Sequence, residues 1–382
     1  MTELRLAFAV AKYFKYGGMQ RSMLRIAREC IARGHRVDIF TGRWEGDKPP
    51  ELTVNEFKLR AFTNHGRNDE LAVRFHQAAD GGRYDCLVGF TKIPGLDIYY
   101  AGDPCLAAKL AATKPGFFRY LPRYRAFLRQ EEDVFRSGKD TEILLIAHQE
   151  KDKFTHYYST ENERFHLLPP GIDRDRLLGQ IPDQQQRQAL RDELGIGKEQ
   201  RLILNVGSGF RTKGIDRAIR ALSALPGELK PMSRLVVVGK GKPAPYRRLA
   251  RKLGVGDQLI FAGARTDVAR FYYSADILIH PAYTENTGTT LIEAMICGLP
   301  VLATGNCGFA HHVVQAQAGL ICPMPFQQET LNRLLVEMLD PVRTAGWGTN
   351  GQKYCATTDL YSLIETAADK IIARAERIHC RR

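Results

Sequence analysis

The sequence predicts an α/β protein built as two doubly wound parallel-sheet domains. Three observations lead there. The 382 residues are enough for two domains, each with its own core. Short apolar runs of strand character recur between helical patterns along the chain. The loops that follow those strands carry Gly, Lys and Glu, at the sheet edge where open α/β sheets hold ligands.

Composition narrows the function classes. A formal net charge of +13 implies an anionic partner: nucleic acid, a membrane surface or a phosphorylated substrate. The longest apolar runs are too short to span a bilayer. The opening MTELRLAFAVAKYF reads as a first strand and not as a signal peptide. The eight cysteines are scattered and form no Cys-x-x-Cys pair, which predicts buried, reduced thiols in a cytosolic protein.

Leu4 to Val10 reads as a strand and Met19 to Arg33 as a helix, with one apolar face made by Met23, Leu24, Ile26, Ala27 and Ile31. Gly17 and Gly18, just before that helix, allow close backbone approach to a ligand or simply make a turn. They are not a G-x-G-x-x-G fingerprint, which disfavours a Rossmann dehydrogenase. His35, at the turn into the second strand, reads as structural, and Asn64 to Asn68 (NHGRN) as a polar loop. Tyr84 to Phe90 is a further strand, delivering Thr91, Lys92, Asp97 and Asp103 to one edge of the sheet.

Pro104 to Gln130 carries six basic residues and no acidic one. The aromatics Phe117, Phe118, Tyr120, Tyr124 and Phe127 lie among Lys114, Arg119, Arg123 and Arg125. Three readings fit: docking on an anionic membrane leaflet, a nucleic-acid patch, or a helix whose aromatics are core. Pro115-Gly116 and Pro122 break any single long helix. Ile143 to Ala147 and Phe165 to Leu168 are the last strands of the first domain, and a Pro-Pro-Gly linker follows, placing the boundary near residue 170. Asp173-Arg174-Asp175 matches an Asp-x-Asp metal motif, but it sits past the hinge at a helix start, where Asp caps; no metal is expected.

The second domain opens with a helix (Arg187 to Leu194) and a strand (Leu202 to Val206), then a Gly-containing loop holding Arg211 and Lys213. Leu235 to Gly239 and Gln258 to Gly263 continue the sheet, and Arg265 follows. Ser274 to Gly305 is the most informative stretch. Asp276 to His280 is a strand, Pro281 to Asn286 a loop, Thr287 to Cys297 a helix stopped by Gly298 and Pro300, and Val301 to Ala303 a strand again. Glu285 lies in the loop and Glu293 in the helix, while Asn286, Thr287, Gly288 and Thr289 surround its N-terminus. Unpaired N–H groups there suit a phosphate. A carboxylate on each side of a phosphate suits hydroxyl-bearing sugars, so the pattern fits a nucleotide sugar. The neighbouring His311-His312 pair reads as a helix start and not as a metal site.

Glu-x7-Glu after a His-Pro strand end, followed by Ala-Met-x-Cys-Gly-Leu-Pro-Val, resembles the signature of family 4 glycosyltransferases. The resemblance implies the GT-B fold of two Rossmann-like domains facing a central cleft, residues 1–170 on the acceptor side and 171–359 binding the nucleotide sugar, with a terminal helix (360–382) crossing back to the first. It further implies that Glu285 approaches the donor sugar and Glu293 holds the ribose hydroxyls. Gly17-Gly18 would lie beside the diphosphate, with Lys213 and Arg211 clamping it and Arg265 near the base. Arg21 would add positive charge there and, with Lys92 and Asp103, serve the acceptor side. Asp97 is carried as a third catalytic candidate beside Glu285 and Lys213. Two departures stand out: Ser208 occupies a position where the family has Arg, and the acceptor-side His of many members has no counterpart.

KYFxxGGxQR (12–21), WEGD (44–47), NHGRN, GFxKxPGLDxYYA (89–101) and HPAYxExxGxxLxEA together resemble one subgroup. These are the bacterial lipopolysaccharide-core glucosyltransferases, although relatives have Asp where this chain has Ser22. The resemblance implies retaining transfer of glucose from UDP-glucose to inner-core heptose. It would run without cofactor or metal, at the cytoplasmic face of the inner membrane, on a peripheral protein whose partners include an anionic membrane and no nucleic acid. The alternatives are a glycosyltransferase of other donor or acceptor, a nucleotide-sugar epimerase on the same fold, and a basic nucleic-acid-binding protein.

Overall fold

The structure, a computed structural model, describes residues 2–15, 17–173, 177 and 182–381. It divides into two units, Met1–Gly171 with Ser362–Arg382, and Ile172–Tyr361. Arg174 and Asp175 of the Asp-x-Asp sequence lie outside the described residues.

In the first unit the elements run β1 (Arg5–Val10), α1 (Gly18–Ala32), β2 (Arg36–Thr41), β3 (Thr53–Glu56), α2 (Asn64–Ala79), β4 (Cys86–Gly89), β5 (Ile98–Ala101) and α3 (Leu106–Thr113). A 3-10 turn at Gly116–Tyr120 leads to α4 (Pro122–Phe135), β6 (Glu142–Leu145), α5 (His148–Tyr158) and β7 (Phe165–Leu167). All strands pair in parallel, in the order β3-β2-β1-β4-β5-β6-β7. The order reverses between β1 and β4, and the carboxyl ends beside such a reversal form the crevice where doubly wound sheets bind ligands. There the Ala11 amide donates to Thr91 Oγ1 at 2.8 Å, tying the two strand exits together.

Alternate residues of β1 feed different cores. Leu6, Phe8 and Val10 pack with α1 and the C-terminal helix Leu363–His379, whereas Ala7 and Ala9 pack on the opposite face with Phe75 and Phe135. Strands buried on both faces are what an all-parallel sheet requires. The C-terminal helix contributes Leu363, Ile364, Ala367, Ala368 and Ile371 to this unit's core. His35, read as structural, accepts the Leu4 amide on Nδ1 at 3.3 Å and is buried.

The NHGRN segment differs from its expected loop. It forms the first turn of α2, with Thr63 as N-cap accepting the Gly66 amide at 3.2 Å. The Asn and Gly that suggested a loop are tolerated because the capped first turn needs no intrahelical amide bonds.

The second unit runs α6 (Gln184–Glu193), β8 (Arg201–Val206), α7 (Ile215–Ser223), β9 (Ser233–Val238), α8 (Ala244–Lys252), β10 (Leu259–Gly263), α9 (Val268–Ser274) and β11 (Ile277–His280). It continues with α10 (Thr289–Ile296), β12 (Val301–Thr304), α11 (Ala310–Gln315), β13 (Gly319–Cys322), α12 (Gln328–Met338) and α13 (Trp347–Thr357). The sheet is again parallel, ordered β10-β9-β8-β11-β12-β13, so its reversal lies between β8 and β11. Both faces are covered: Leu202 and Leu204 enter one core and Ile203 the other.

Candidate active site

In the second unit, the two loops that leave the strands at the reversal carry the candidate residues. The loop after β8 presents Lys213, and the loop after β11 presents Glu285. Their side chains form an ion pair, and both are largely buried. Glycine brings the loops this close. Gly214 sits at φ +71°, and a Cβ there would lie 2.0 Å from the Pro281 carbonyl oxygen. The backbone is pinned as well, Tyr283 N–H donating to Thr212 O at 2.9 Å.

Glu285 also receives a hydrogen bond from His280 Nε2 at 3.2 Å. His280 ends β11 and is fully buried. Burial pushes its imidazole pKa down, more than the Glu285 contact raises it, so the ring is neutral. Nε2 then carries the proton toward Glu285, and Nδ1 faces the Thr290 hydroxyl at 3.5 Å. Burial raises the Glu285 pKa, but the His280 hydrogen bond and the Lys213 charge outweigh it and hold the carboxyl at about 2. Glu285 is therefore ionised throughout the neutral range.

The following loop is held from the other side. Gly308 N–H donates to Glu285 O at 3.2 Å, and Phe309 N–H to Thr287 O at 2.7 Å. A Cβ on Gly308 would lie 1.9 Å from Asn286 O. Helix α10 starts two residues later than expected, with Gly288 as N-cap at φ +91°, so Asn286 and Thr287 belong to the loop and only Thr289 to the first turn. Glu293, one turn into α10, accepts a hydrogen bond from Tyr272 OH of α9 at 2.7 Å. The geometry thus sets an ionised carboxylate, an ammonium and a helix N-terminus at one strand-exit edge. That set can hold sugar hydroxyls and a phosphate.

Of the other positions expected here, Arg211 is exposed on the β8–α7 loop. Ser208 Oγ accepts the Lys240 amide at 3.1 Å, so the residue at the family's Arg position joins two loops. Arg265 lies past the carboxyl end of β10, but its guanidinium is committed to both oxygens of Asp267 at 2.8 Å. That hydrogen bonding, against a weaker effect of burial, holds Asp267 at about 2. His311 and His312 lie in the first turn of α11, bonded to Gly308 O and Tyr354 OH respectively.

In the first unit, Gly17 is the N-cap of α1, and a Cβ on it would collide with the Gln20 side chain at 1.9 Å. Gly18 has open space about it, and Arg21 is exposed in the first turn. A cavity of about 560 Å³ opens at this unit's own strand reversal, lined by Thr91, Lys92, Asp103, Lys109, Tyr124 and Gln130 among others. Lys92 pairs with Glu131, a fully buried carboxylate that also takes the Leu106 and Ala107 amides at 2.9 and 3.1 Å and Tyr158 OH at 2.7 Å.

Asp97 corrects the sequence reading. It precedes β5 and so stands at the amino edge of the parallel sheet, opposite the edge that carries Thr91 and Lys92. Its Oδ2 accepts the Leu87 amide at 2.8 Å, and Arg374 of the C-terminal helix approaches to 4.0 Å. It anchors the sheet at that edge, away from Thr91 and Lys92.

The basic aromatic segment is also redistributed. It folds as α3, the 3-10 turn and α4, with Pro122 in the first turn of α4. Of the residues expected at a membrane interface, Lys114, Arg123 and Tyr124 line the cavity. Phe117 and Tyr120 are 62% and 70% exposed, which rules out the core reading for them, and Arg119 and Arg125 are exposed too. Phe118 is half-buried against Phe117 and Tyr124. No helix among the described residues is long and apolar enough to cross a membrane.

With this geometry established, comparison with known proteins decides the family. The "Glycosyltransferase Family 4" profile matches residues 16–176, and the "Glycosyl transferases group 1" profile matches residues 186–353. Lipopolysaccharide glucosyltransferase WaaG of Escherichia coli K12 is 43% identical over 369 residues, covering 96% of this chain and 98% of that protein. The chain belongs to the family 4 glycosyltransferases. A crystal structure of WaaG, a glycosyltransferase involved in lipopolysaccharide biosynthesis, superimposes with a TM-score of 0.84 at 42% identity over 96% of this chain and 99% of that one. The GT-B fold of two parallel-sheet Rossmann-like domains is thereby shown. A D-inositol 3-phosphate glycosyltransferase of Xylanimonas cellulosilytica is 27% identical, over 80% of this chain and 79% of its own length.

Sequence reasoning on this glycosyltransferase missed His280 and Tyr272, which orient the two glutamates. A signal existed for His280: it ends the strand five residues before Glu285. Tyr272 gave none, because its contact with Glu293 joins two helices.

Proposed function

We propose that this glycosyltransferase moves glucose from UDP-glucose to the inner-core heptose of a lipopolysaccharide acceptor, retaining anomeric configuration, as a peripheral protein on the cytoplasmic face of the inner membrane. The observation that carries the reading is the Glu285–Lys213–His280 constellation at the β8/β11 reversal, one turn of helix away from Glu293. The name and 43% identity of the Escherichia coli relative support the donor and acceptor classes.

The residues divide the work as follows. Glu293, oriented by Tyr272, accepts hydrogen bonds from the ribose hydroxyls. The N–H groups about Gly288 and Thr289 meet the diphosphate, joined by the Lys213 ammonium and by Arg211. As the bond from anomeric carbon to phosphate oxygen lengthens, negative charge grows on the leaving UDP, and these fixed donors stabilise it more than the ground state. Glu285, ionised at about 2 and bonded to two partners, is a weak base and a weak nucleophile. Its part is to accept donor-sugar hydroxyls and to fix Lys213. Retention then follows a front-face course, in which the departing phosphate oxygen takes the proton of the attacking acceptor hydroxyl. No metal or cofactor takes part in this proposal. The cavity of the first unit takes the acceptor, with Lys92 and Asp103 at its wall. The exposed Phe117, Arg119, Tyr120 and Arg125 meet the anionic leaflet.

The test is transfer from a panel of nucleotide sugars to core-truncated lipopolysaccharide ending at heptose, with UDP release followed in parallel. Transfer from UDP-glucose alone is expected. UDP release without transfer would remove the acceptor assignment, and no release from any donor would remove the enzyme reading.

A further inference from the structure

The basic segment of the first unit is divided by its fold. Lys109 and Lys114 on and just after α3, and Arg123 in the first turn of α4, line the 560 Å³ cavity, whereas Arg119 and Arg125 do not. The cavity's other cations are compensated, Lys12 by Glu45 at 2.8 Å and Lys92 by buried Glu131. Among the described residues no carboxylate lies within ion-pair distance of Lys109, Lys114 or Arg123. Lys114 and Arg123 instead sit over the faces of Phe118 and Phe127, at 5.2 and 5.9 Å from the ring centroids. Such stacking fixes where the charge sits and leaves its N–H donors free for a ligand. Asp103 is the one acidic residue of the lining, so the cavity holds a surplus of positive charge beside the hydroxyl and amide groups of Thr91, Asn68 and Gln130.

Thr91 stands at a strand exit and Asn68 and Gln130 on α2 and α4, and such polar side chains suit sugar hydroxyls. Three uncompensated cations at one flank suit an oxyanion attached to those sugars. We infer that this cavity recognises an anionic saccharide: Lys109, Lys114 and Arg123 bind a phosphate or carboxylate substituent on the acceptor glycan, next to the sugar that receives the hexose. This rests on the acceptor-side reading of the cavity and narrows it from a sugar to a charged one. The cationic fork of Arg123 accepts either oxyanion bidentately. The two lysines supply point charge beside it.

The inference can be tested without donor or turnover. Binding to the full chain is measured by calorimetry, at low salt, for a neutral disaccharide, its monophosphate ester and the matching uronic acid. The phosphate or the uronate, or both, should bind roughly tenfold or more tighter than the neutral sugar, and which of them gains identifies the oxyanion. The Lys109→Gln/Lys114→Gln/Arg123→Gln variant should lose that gain while retaining the wild-type affinity for the neutral sugar. An Arg119→Gln/Arg125→Gln variant, with two charges removed from the same segment but away from the cavity, should bind as wild type. Equal affinity for neutral and charged sugars overturns the inference, as does a triple variant that still discriminates. Equal loss in both variants would also overturn it, because bulk charge would then be the cause. Far-UV circular dichroism and the thermal midpoint of the triple variant identify misfolding; if it misfolds, the three single variants carry the same comparison. The outcome is separable from the transfer assay: efficient transfer to a neutral acceptor leaves the enzyme reading intact and removes this one.

Discussion

Replacing Glu285 by Gln tests the electrostatic core of the proposed donor site through stability alone. The carboxyl is held at about 2, against an ordinary value of 4.5, by the His280 hydrogen bond and the Lys213 charge, which together outweigh the upward push of burial. A folded-state value below the unfolded one means that the group stabilises the fold above its unfolded pKa and loses that contribution as pH falls. A difference of about 2.5 units corresponds to on the order of 3 kcal/mol at pH 7. Roughly 2 kcal/mol of it is gone by pH 3, where the unfolded state is mostly protonated and the folded one is not. Gln keeps an acceptor for His280 but leaves the largely buried Lys213 ammonium without a counter-charge. At pH 7 the variant should therefore melt roughly 6–12 °C lower, for a cooperative unit of about 190 residues. The gap should shrink as the pH is lowered from 5 to 3, because only the wild type has a carboxylate to protonate. Urea unfolding of both proteins across that range is the assay. A variant as stable as wild type at pH 7, or a gap independent of pH, would refute the pairing of Glu285 with Lys213 and His280 as described.

Four further outcomes follow from the structure. Glu293→Ala should weaken UDP binding, and Tyr272→Phe, which removes the hydroxyl that orients Glu293, should weaken it about fivefold; UDP calorimetry that leaves Tyr272→Phe unaffected would show that the hydroxyl does not matter. Gly214→Ala places a Cβ in the left-handed region and against Pro281 O, so it should cost at least about 1–2 kcal/mol from strain and lower turnover by shifting the Glu285 loop; an unaltered melting temperature would contradict the close approach. Neutralising Arg119 and Arg125 and replacing Phe117 by Ser should weaken sedimentation with anionic vesicles at least tenfold, with UDP affinity unchanged; undiminished vesicle binding would end the docking claim.

The α/β class and most element positions were legible because strand and helix periodicities are local. The Glu285 and Glu293 pair was legible because one β-loop-α unit contains it. What the sequence hid was long-range. Lys213 meets Glu285 across 72 residues, and a single glycine, Gly214, lets the two loops close. Nothing local to either loop states that contact. The NHGRN segment failed for the opposite reason, since its loop-forming composition is also what a capped first helical turn accepts.

Asp97 shows where chain order misleads. It lies between Lys92 and Asp103 in sequence, and chain order alone assigns all three to one edge. A parallel strand runs between Asp97 and Asp103, and a strand moves the chain from one edge of the sheet to the other. Asp103, after β5, emerges beside the cavity, while Asp97, before it, stays at the far edge with Leu87 N–H and Arg374. In a doubly wound sheet the side of a strand on which a residue falls thus decides its role before its chemistry does. The same rule sorts Thr91 and Lys92 with the cavity and places Lys213 and Glu285 together, each after its strand.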